Sequence, residues 1–119
     1  MEFIILVLLQ VKHYLIDFQF QTAKELKYKG IYGNFYGLAH SIKHALLTFF
    51  IFVYFDYTFA VGMFMIDFLA HYHIDYIKMK YGSKNIVESK FWRDFGLDQL
   101  AHQICYAGYM YLFVYNAIG

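Results

Sequence analysis

Apolar residues fall into four long runs, at about 3–21, 36–55, 57–78 and 95–118, separated by short segments in which lysine, glycine, serine and asparagine collect. Each run is close to the ~20 residues that an α-helix needs to cross ~30 Å of hydrocarbon. The pattern predicts an all-α protein, one domain over residues 1–119, built as an integral membrane four-helix bundle. Proline is absent, which suits uninterrupted helices, while Gly30, Gly33, Gly37 and Gly82, with Ser83 and Asn85, punctuate the connections. Thr22-Ala23-Lys24-Glu25 reads as a capping box and predicts a short surface helix ending at Gly30. The tightest connection, Asp56-Tyr57-Thr58, makes a hairpin of the second and third runs.

The polar residues inside these runs repeat. His13/Asp17, His40/His44, His71/Asp75 and Asp98/His102 are each spaced i, i+4, which stacks two side chains on one face of a helix. One such pair inside a membrane serves hydrogen-bonded packing. Eight ionisable groups are harder to explain that way, since each costs roughly 2.5–3.5 kcal/mol at the bilayer centre even on the lenient insertion scale. A shared polar core is expected, with one or two divalent metals held by His13, Asp17, His40, His44, His71, Asp75, Asp98 and His102. Imidazole and carboxylate ligands suit Zn, Mn, Fe or Ni without choosing among them. A proton or ion pathway is the other use of stacked His and Asp.

Charge sets the orientation. Lys24, Lys27, Lys29, Lys78, Lys80, Lys84, Lys90 and Arg93, eight of the ten basic residues, lie in or beside the first and third connections. The positive-inside rule makes those connections cytoplasmic and both termini extracytoplasmic. With alternating helix directions, His13, His44, His71 and His102 then share a deep layer beneath a shallower one of Asp17, His40, Asp75 and Asp98, one turn or ~5–6 Å apart. Tyr28, Tyr32, Tyr36 and Tyr81 fall at the cytoplasmic interface, and Tyr54, Tyr57 and Tyr115 at the opposite one.

Composition narrows the classes further. At 61% hydrophobic and 24% aromatic residues, a bilayer is a better solvent for the chain than water. A net charge of +1 excludes nucleic-acid binding, and one cysteine excludes a disulfide framework or a thiolate zinc cluster. No signal-peptide cleavage site follows the first apolar run, so that run is expected in the mature protein. Asp67, four residues before His71, is placed to orient that imidazole; Gln21 and Gln99 to meet substrate oxygens; and Lys78 to receive a phosphate at the mouth. His73 lies off the His71/Asp75 face and is read as a packing or interfacial histidine. The stretches Phe3 to Leu9 and Leu46 to Val53 are almost wholly apolar, which argues for a one-sided pocket rather than a conduit.

At His13-Tyr-Leu-Ile-Asp17-Phe-Gln-Phe-Gln21-Thr22, His40, His71-Tyr-His-Ile-Asp75-Tyr76 and Gly96-Leu-Asp98-Gln99-Leu-Ala-His102, with Phe91-Trp92 upstream, the chain resembles the small phage and bacterial membrane proteins grouped as domain of unknown function 3307. The likeness covers nearly its whole length. More distantly it is similar to bacterial membrane-bound metal-dependent hydrolases, which implies hydrolysis by metal-activated water, with Asp98 or Asp17 as the base. The expectation is a multi-pass protein of the bacterial inner membrane, with a phage origin left open, whose partners are the lipid bilayer and an amphiphilic substrate such as a lipid or isoprenoid phosphate. A small metal or proton transporter and a phage effector that binds a host protein remain alternatives, and a homo-oligomer is left open.

Overall fold

The computed structural model describes residues 1–118. Helix α1 (Glu2–Tyr14) runs directly into a π-helical turn, Leu15–Gln19; α2 (Ala23–Tyr28), α3 (Phe35–Val53), α4 (Tyr57–Tyr81) and α5 (Ser89–Ile118) follow. The described residues contain no strand. Helix α1 packs against α3 and α5, and α4 packs against the same two, so the four long helices close a ring of antiparallel neighbours. Asn34 and Asp56 cap α3 and α4 through Asn34 Oδ1, which accepts from Tyr36 N at 2.9 Å, and Asp56 Oδ1, which accepts from Phe59 N at 2.8 Å. The expected hairpin is present, but its turn is Tyr54 to Asp56 rather than Asp56 to Thr58, since Tyr57 and Thr58 already belong to α4.

Three expectations change at the boundaries. The first run is not one α-helix: the amide of Phe20 reaches back five residues to the Leu15 carbonyl at 2.7 Å, the bond of a π turn, with Asp17 inside it. The last helix starts at Ser89 rather than near 95. Lys90 and Asp94 stack one turn apart at 2.6 Å, and Asp94 also accepts the Ser83 amide at 2.8 Å, tying the preceding loop to the helix. The Lys90 ammonium and that amide hold the Asp94 carboxyl below its ordinary range. The capping box is only half formed. Thr22 Oγ1 accepts from Glu25 N at 3.1 Å, but the Glu25 carboxylate turns inward to His40 and Lys43 and is buried, so α2 is part of the polar core and not merely a surface helix.

The interior divides in two along the bundle axis. Towards the termini and the α3–α4 turn, Ile5, Leu9, Phe52, Ala60, Met63, Tyr106, Tyr109 and Phe113 form an apolar core. Towards α2 and the 82–88 connection the buried side chains are ionisable. By length and composition, Phe35–Val53 is the one helix among the described residues long and apolar enough to cross a membrane. Four such spans, as expected from the apolar runs, are not found: the π turn shortens α1 to 13 residues, and α4 and α5 carry polar and charged side chains along their length.

Candidate metal centre

Each long helix buries one stripe of residues three or four apart. On α1 and its π turn the stripe is Ile5, Leu9, Lys12, His13, Ile16 and Asp17; on α3 it is His40, Ser41, His44, Ala45, Thr48 and Phe52; on α4 Met63, Asp67, His71 and Asp75; on α5 Asp98, His102, Tyr106, Tyr109 and Phe113. The stripes face one another, and their polar halves coincide in level. All eight side chains named as ligands are buried together.

The four histidines of the deeper layer meet at the centre. Ring centroids of His44 and His71 are 4.0 Å apart and those of His71 and His102 4.3 Å, both stacked, while His13 lies 5.1 to 5.9 Å from the other three. The Tyr106 hydroxyl bridges His13 Nδ1 at 2.7 Å and His71 Nε2 at 3.0 Å. In the layer above, Asp17 Oδ1 lies 3.0 Å from His40 Nε2 and 2.6 Å from His44 Nε2, and Asp17 Oδ2 lies 3.3 Å from His13 Nε2. His40 Nε2 also lies 3.3 Å from Asp75 Oδ2, and His102 Nε2 sits 3.1 Å from Asp75 Oδ1 and 3.5 Å from Asp98 Oδ1. His40 therefore links the α1 and α4 carboxylates.

A shell of charged and hydroxyl groups surrounds these rings. Asp67 takes Lys12 Nζ at 2.7 Å, Thr48 Oγ1 at 2.5 Å and Tyr109 OH at 2.8 Å, and its Oδ1 lies 2.7 Å from His71 Nδ1, the place expected of an orienting carboxylate. Glu25 Oε2 lies 3.1 Å from His40 Nδ1 and does the same for that ring. Lys12 Nζ is 3.3 Å from His44 Nδ1; an ammonium only donates, so Nδ1 accepts and the network puts the His44 proton on Nε2, towards Asp17. Lys29 Nζ donates to Gln21 Oε1 at 2.8 Å and lies 3.5 Å from Asp75 Oδ2. Gly37 favours this reach: a Cβ there would sit 3.1 Å from the Lys29 Cα, so a larger residue would push that backbone away from α3 by a few tenths of an ångström.

Three triads offer ligand atoms within 4.8 Å of one another: His13/His44/His71, Asp17/His40/His44 and Asp75/Asp98/His102. They are not equivalent. The first holds one buried atom without a hydrogen bond, His71 Nδ1, which faces Asp67, whereas the third holds three, Asp75 Oδ2, Asp98 Oδ1 and His102 Nδ1, the two oxygens making only ion-pair contacts of 3.3 to 3.5 Å with His40, Lys29 and His102. Charge points the same way. Lys12, Lys29 and Lys43 face Asp17, Glu25, Asp67, Asp75 and Asp98, so with neutral imidazoles the cluster is short of two positive charges. One divalent cation supplies them, as would two protons on His40 and His102, each of which sits between carboxylates. The donor set of imidazole nitrogen and carboxylate oxygen fits a divalent transition metal.

The residues expected to meet substrate are placed differently. Gln99 spans His13 Nε2 at 2.9 Å and Asp98 Oδ2 at 3.1 Å, and Gln21 donates to the Asp17 carbonyl at 2.8 Å, so both amides serve the site's own residues. Lys78 lines a cleft between α4 and α5 with Asp98 in its wall. His73 stands outside the cluster, exposed, donating to or accepting from the Tyr32 hydroxyl at 3.1 Å.

Lys12, Glu25, Lys29, Tyr106 and Tyr109 escaped the search for His/Asp pairs. Lys12 carried a readable signal, since it continues the stripe Ile5, Leu9, Ile16 at helical spacing and is an ionisable residue in an apolar run. Tyr106 and Tyr109 extend the Asp98, His102 stripe in the same way. Nothing in the spacing marks Glu25 or Lys29, whose contacts come from a connection folding back.

The family described as "Protein of unknown function (DUF3307)" matches residues 5–117. The chain belongs to it. That match runs from the first turn of α1 into the last turn of α5 and takes in every residue of the centre. No curated protein and no solved structure matches the chain.

Proposed function

We propose that the protein is a membrane-embedded, metal-dependent hydrolase whose His/Asp site opens to the cytoplasm and acts on an amphiphilic substrate. Membrane embedding is supported by the inverted distribution of side chains. Ionisable groups are inside, while Phe3, Ile4, Val7 and Val11 of α1, Ile42, Leu46 and Phe50 of α3, Met65, Ile66 and Leu69 of α4, and Leu100 and Ile104 of α5 face outward and exposed. A water-soluble monomer rarely presents apolar patches beyond a few hundred Å². Exposed Tyr32 and Tyr81 at one end and Tyr54, Tyr57 and Tyr115 at the other suit two interfaces.

The observation that carries the hydrolase reading is the pair of carboxylate oxygens, Asp75 Oδ2 and Asp98 Oδ1, that are buried without a hydrogen bond and held by longer ion-pair contacts of 3.3 to 3.5 Å, close to His102 and with Asp98 in the wall of a cleft. A divalent metal bound there would lower the pKa of a water towards ~7 and neutralise charge on a bound ester. Asp98 is the better base of the two expected. Asp17 is held by three imidazoles, whereas Asp98 takes the Gln99 amide on one oxygen and has only the longer 3.5 Å contact with His102 on the other. Water adds to the electrophilic centre as its proton passes to Asp98; the ester bond breaks, and that proton leaves on the alcohol oxygen.

Elemental analysis of the purified protein in detergent, beside assays on a panel of phospholipids and isoprenoid phosphates, tests this. Metal should be present in wild type and largely absent from His102→Ala, and turnover should need metal and fail in Asp98→Asn. Equal metal content in both proteins sinks the reading. The second reading, a proton or metal pathway, takes support from the stacked row His44, His71 and His102. Against it stands the apolar core of Leu9, Phe52, Met63 and Phe113, which closes the bundle towards the termini.

A further inference from the structure

The cleft between α4 and α5 has a volume of about 310 Å³ and is lined by Ile74, Ile77, Lys78, Leu97, Asp98 and Ala101, with Gly82 at its rim. Its polarity is ordered. Asp98, whose Oδ1 is buried without a hydrogen bond, contributes to the wall beside the centre; Lys78, Tyr81 and Asp94 also line the cleft, and Ile74, Ile77, Leu97 and Ala101 make its aliphatic part, with Ile77 and Leu97 exposed on the outer surface. Lys78 has no carboxylate partner among the described residues, and its ammonium stands 5.4 Å over the Phe95 ring. Asp94, the other acid beside the cleft, is paired with Lys90.

We infer that this cleft seats the substrate, that the substrate is a single-chain amphiphile ending in a phosphate, and that Asp75, Asp98 and His102 hold the metal its head group meets. The inference rests on the hydrolase reading above and assigns one of three triads to it. Carboxylates alone would repel an anion, so the phosphate is drawn in only with a cation held between it and Asp75 and Asp98. Lys78 then supplies the opposite contact, a charge-assisted one. A cationic head group such as choline has no use for Lys78. The aliphatic wall and the outward Ile77 and Leu97 accept the chain, which stays in the lipid while the head group enters sideways. Free phosphate would gain nothing from that wall.

Dodecylphosphonate is a suitable probe, because its P–C bond is not hydrolysed. Binding is measured by calorimetry to the zinc-loaded protein in nanodiscs of zwitterionic lipid. Leu97→Trp fills the cleft from an exposed position, and Lys78→Glu reverses its charge; each should weaken binding at least about tenfold, with Lys78→Arg close to wild type. Ethylphosphonate should bind at least about tenfold more weakly than the dodecyl compound, since it buries no chain. Helix content and zinc per chain are checked to be unchanged in the three variants. Equal affinity of wild type, Leu97→Trp and Lys78→Glu overturns the cleft, as does equal affinity for ethylphosphonate or competition by dodecyltrimethylammonium. The two readings separate on dodecyl phosphate: binding with no turnover rejects the hydrolase and leaves the cleft standing, while turnover indifferent to Leu97→Trp does the reverse.

Discussion

Lys12 Nζ and Asp67 Oδ2 lie 2.7 Å apart with both side chains buried, joining the last turn of α1 to the middle of α4 beneath the histidine cluster. Removing one partner strands a charge, which costs about 3–5 kcal/mol, whereas removing both replaces ions with neutral groups and costs less. Lys12→Met and Asp67→Asn should therefore each lower the unfolding midpoint in a denaturing detergent titration, and the double variant should be more stable than Lys12→Met alone. A double variant as unstable as the sum of the singles would mean that the two residues act independently.

Metal and protons compete for the same charge deficit. Loading a divalent ion should expel about one to two protons from His40 and His102, the rings that lie between carboxylates, so affinity should rise with pH until those rings are neutral. Calorimetry in two buffers of different ionisation enthalpy counts the protons. Zinc binding without proton release would show that the deficit had been met in another way.

Glu25 reaches His40 from a helix that contributes no metal ligand. Glu25→Gln keeps the side chain's shape but weakens its hold on the ring, and loss of such an outer partner typically costs 10–100-fold in metal affinity. Competition with a chromophoric chelator measures this. His73→Ala, outside the cluster, should leave affinity unchanged.

Much of this arrangement was legible because helical spacing is a local property. Pairs such as His71/Asp75 and Asp98/His102 state by their own separation that they share a face, and alternating helix directions bring four such faces to one level. The sequence said less where the contact is not local. Glu25 read as a capping partner because Thr22 stood three residues before it, yet two basic side chains of α3 outcompete the Thr22 amide for its carboxylate. Lys29 read as a topological charge because it stands in a lysine-rich connection, and only the close approach at Gly37 turns it inward. The π turn was hidden too, since one added residue per turn changes hydrogen bonding without changing the apolar content of Leu15–Gln19.

The proposed sidedness rests on the distribution of basic residues. In a variant whose only thiol replaces Ser83, with Cys105→Ser, an impermeant maleimide added to intact cells should not label, while a thiol at Asn116 should. Labelling at position 83 from outside would reverse the orientation and turn the α4/α5 cleft away from the cytoplasm.

Under the proposed membrane embedding, the division of the bundle into an apolar half and an ionisable half bears on how the chain would enter a bilayer. Helix α3 is by length and composition able to cross a membrane, but α4 carries Asp67, His71 and Asp75 on a face that α1, α3 and α5 neutralise. Until α5 has emerged from the ribosome, Asp75 lacks His102 and the Tyr106 bridge between His13 and His71 is missing. In a membrane, the early helices would have to wait beside the translocation machinery for the last, so lateral release and bundle closure become a single step.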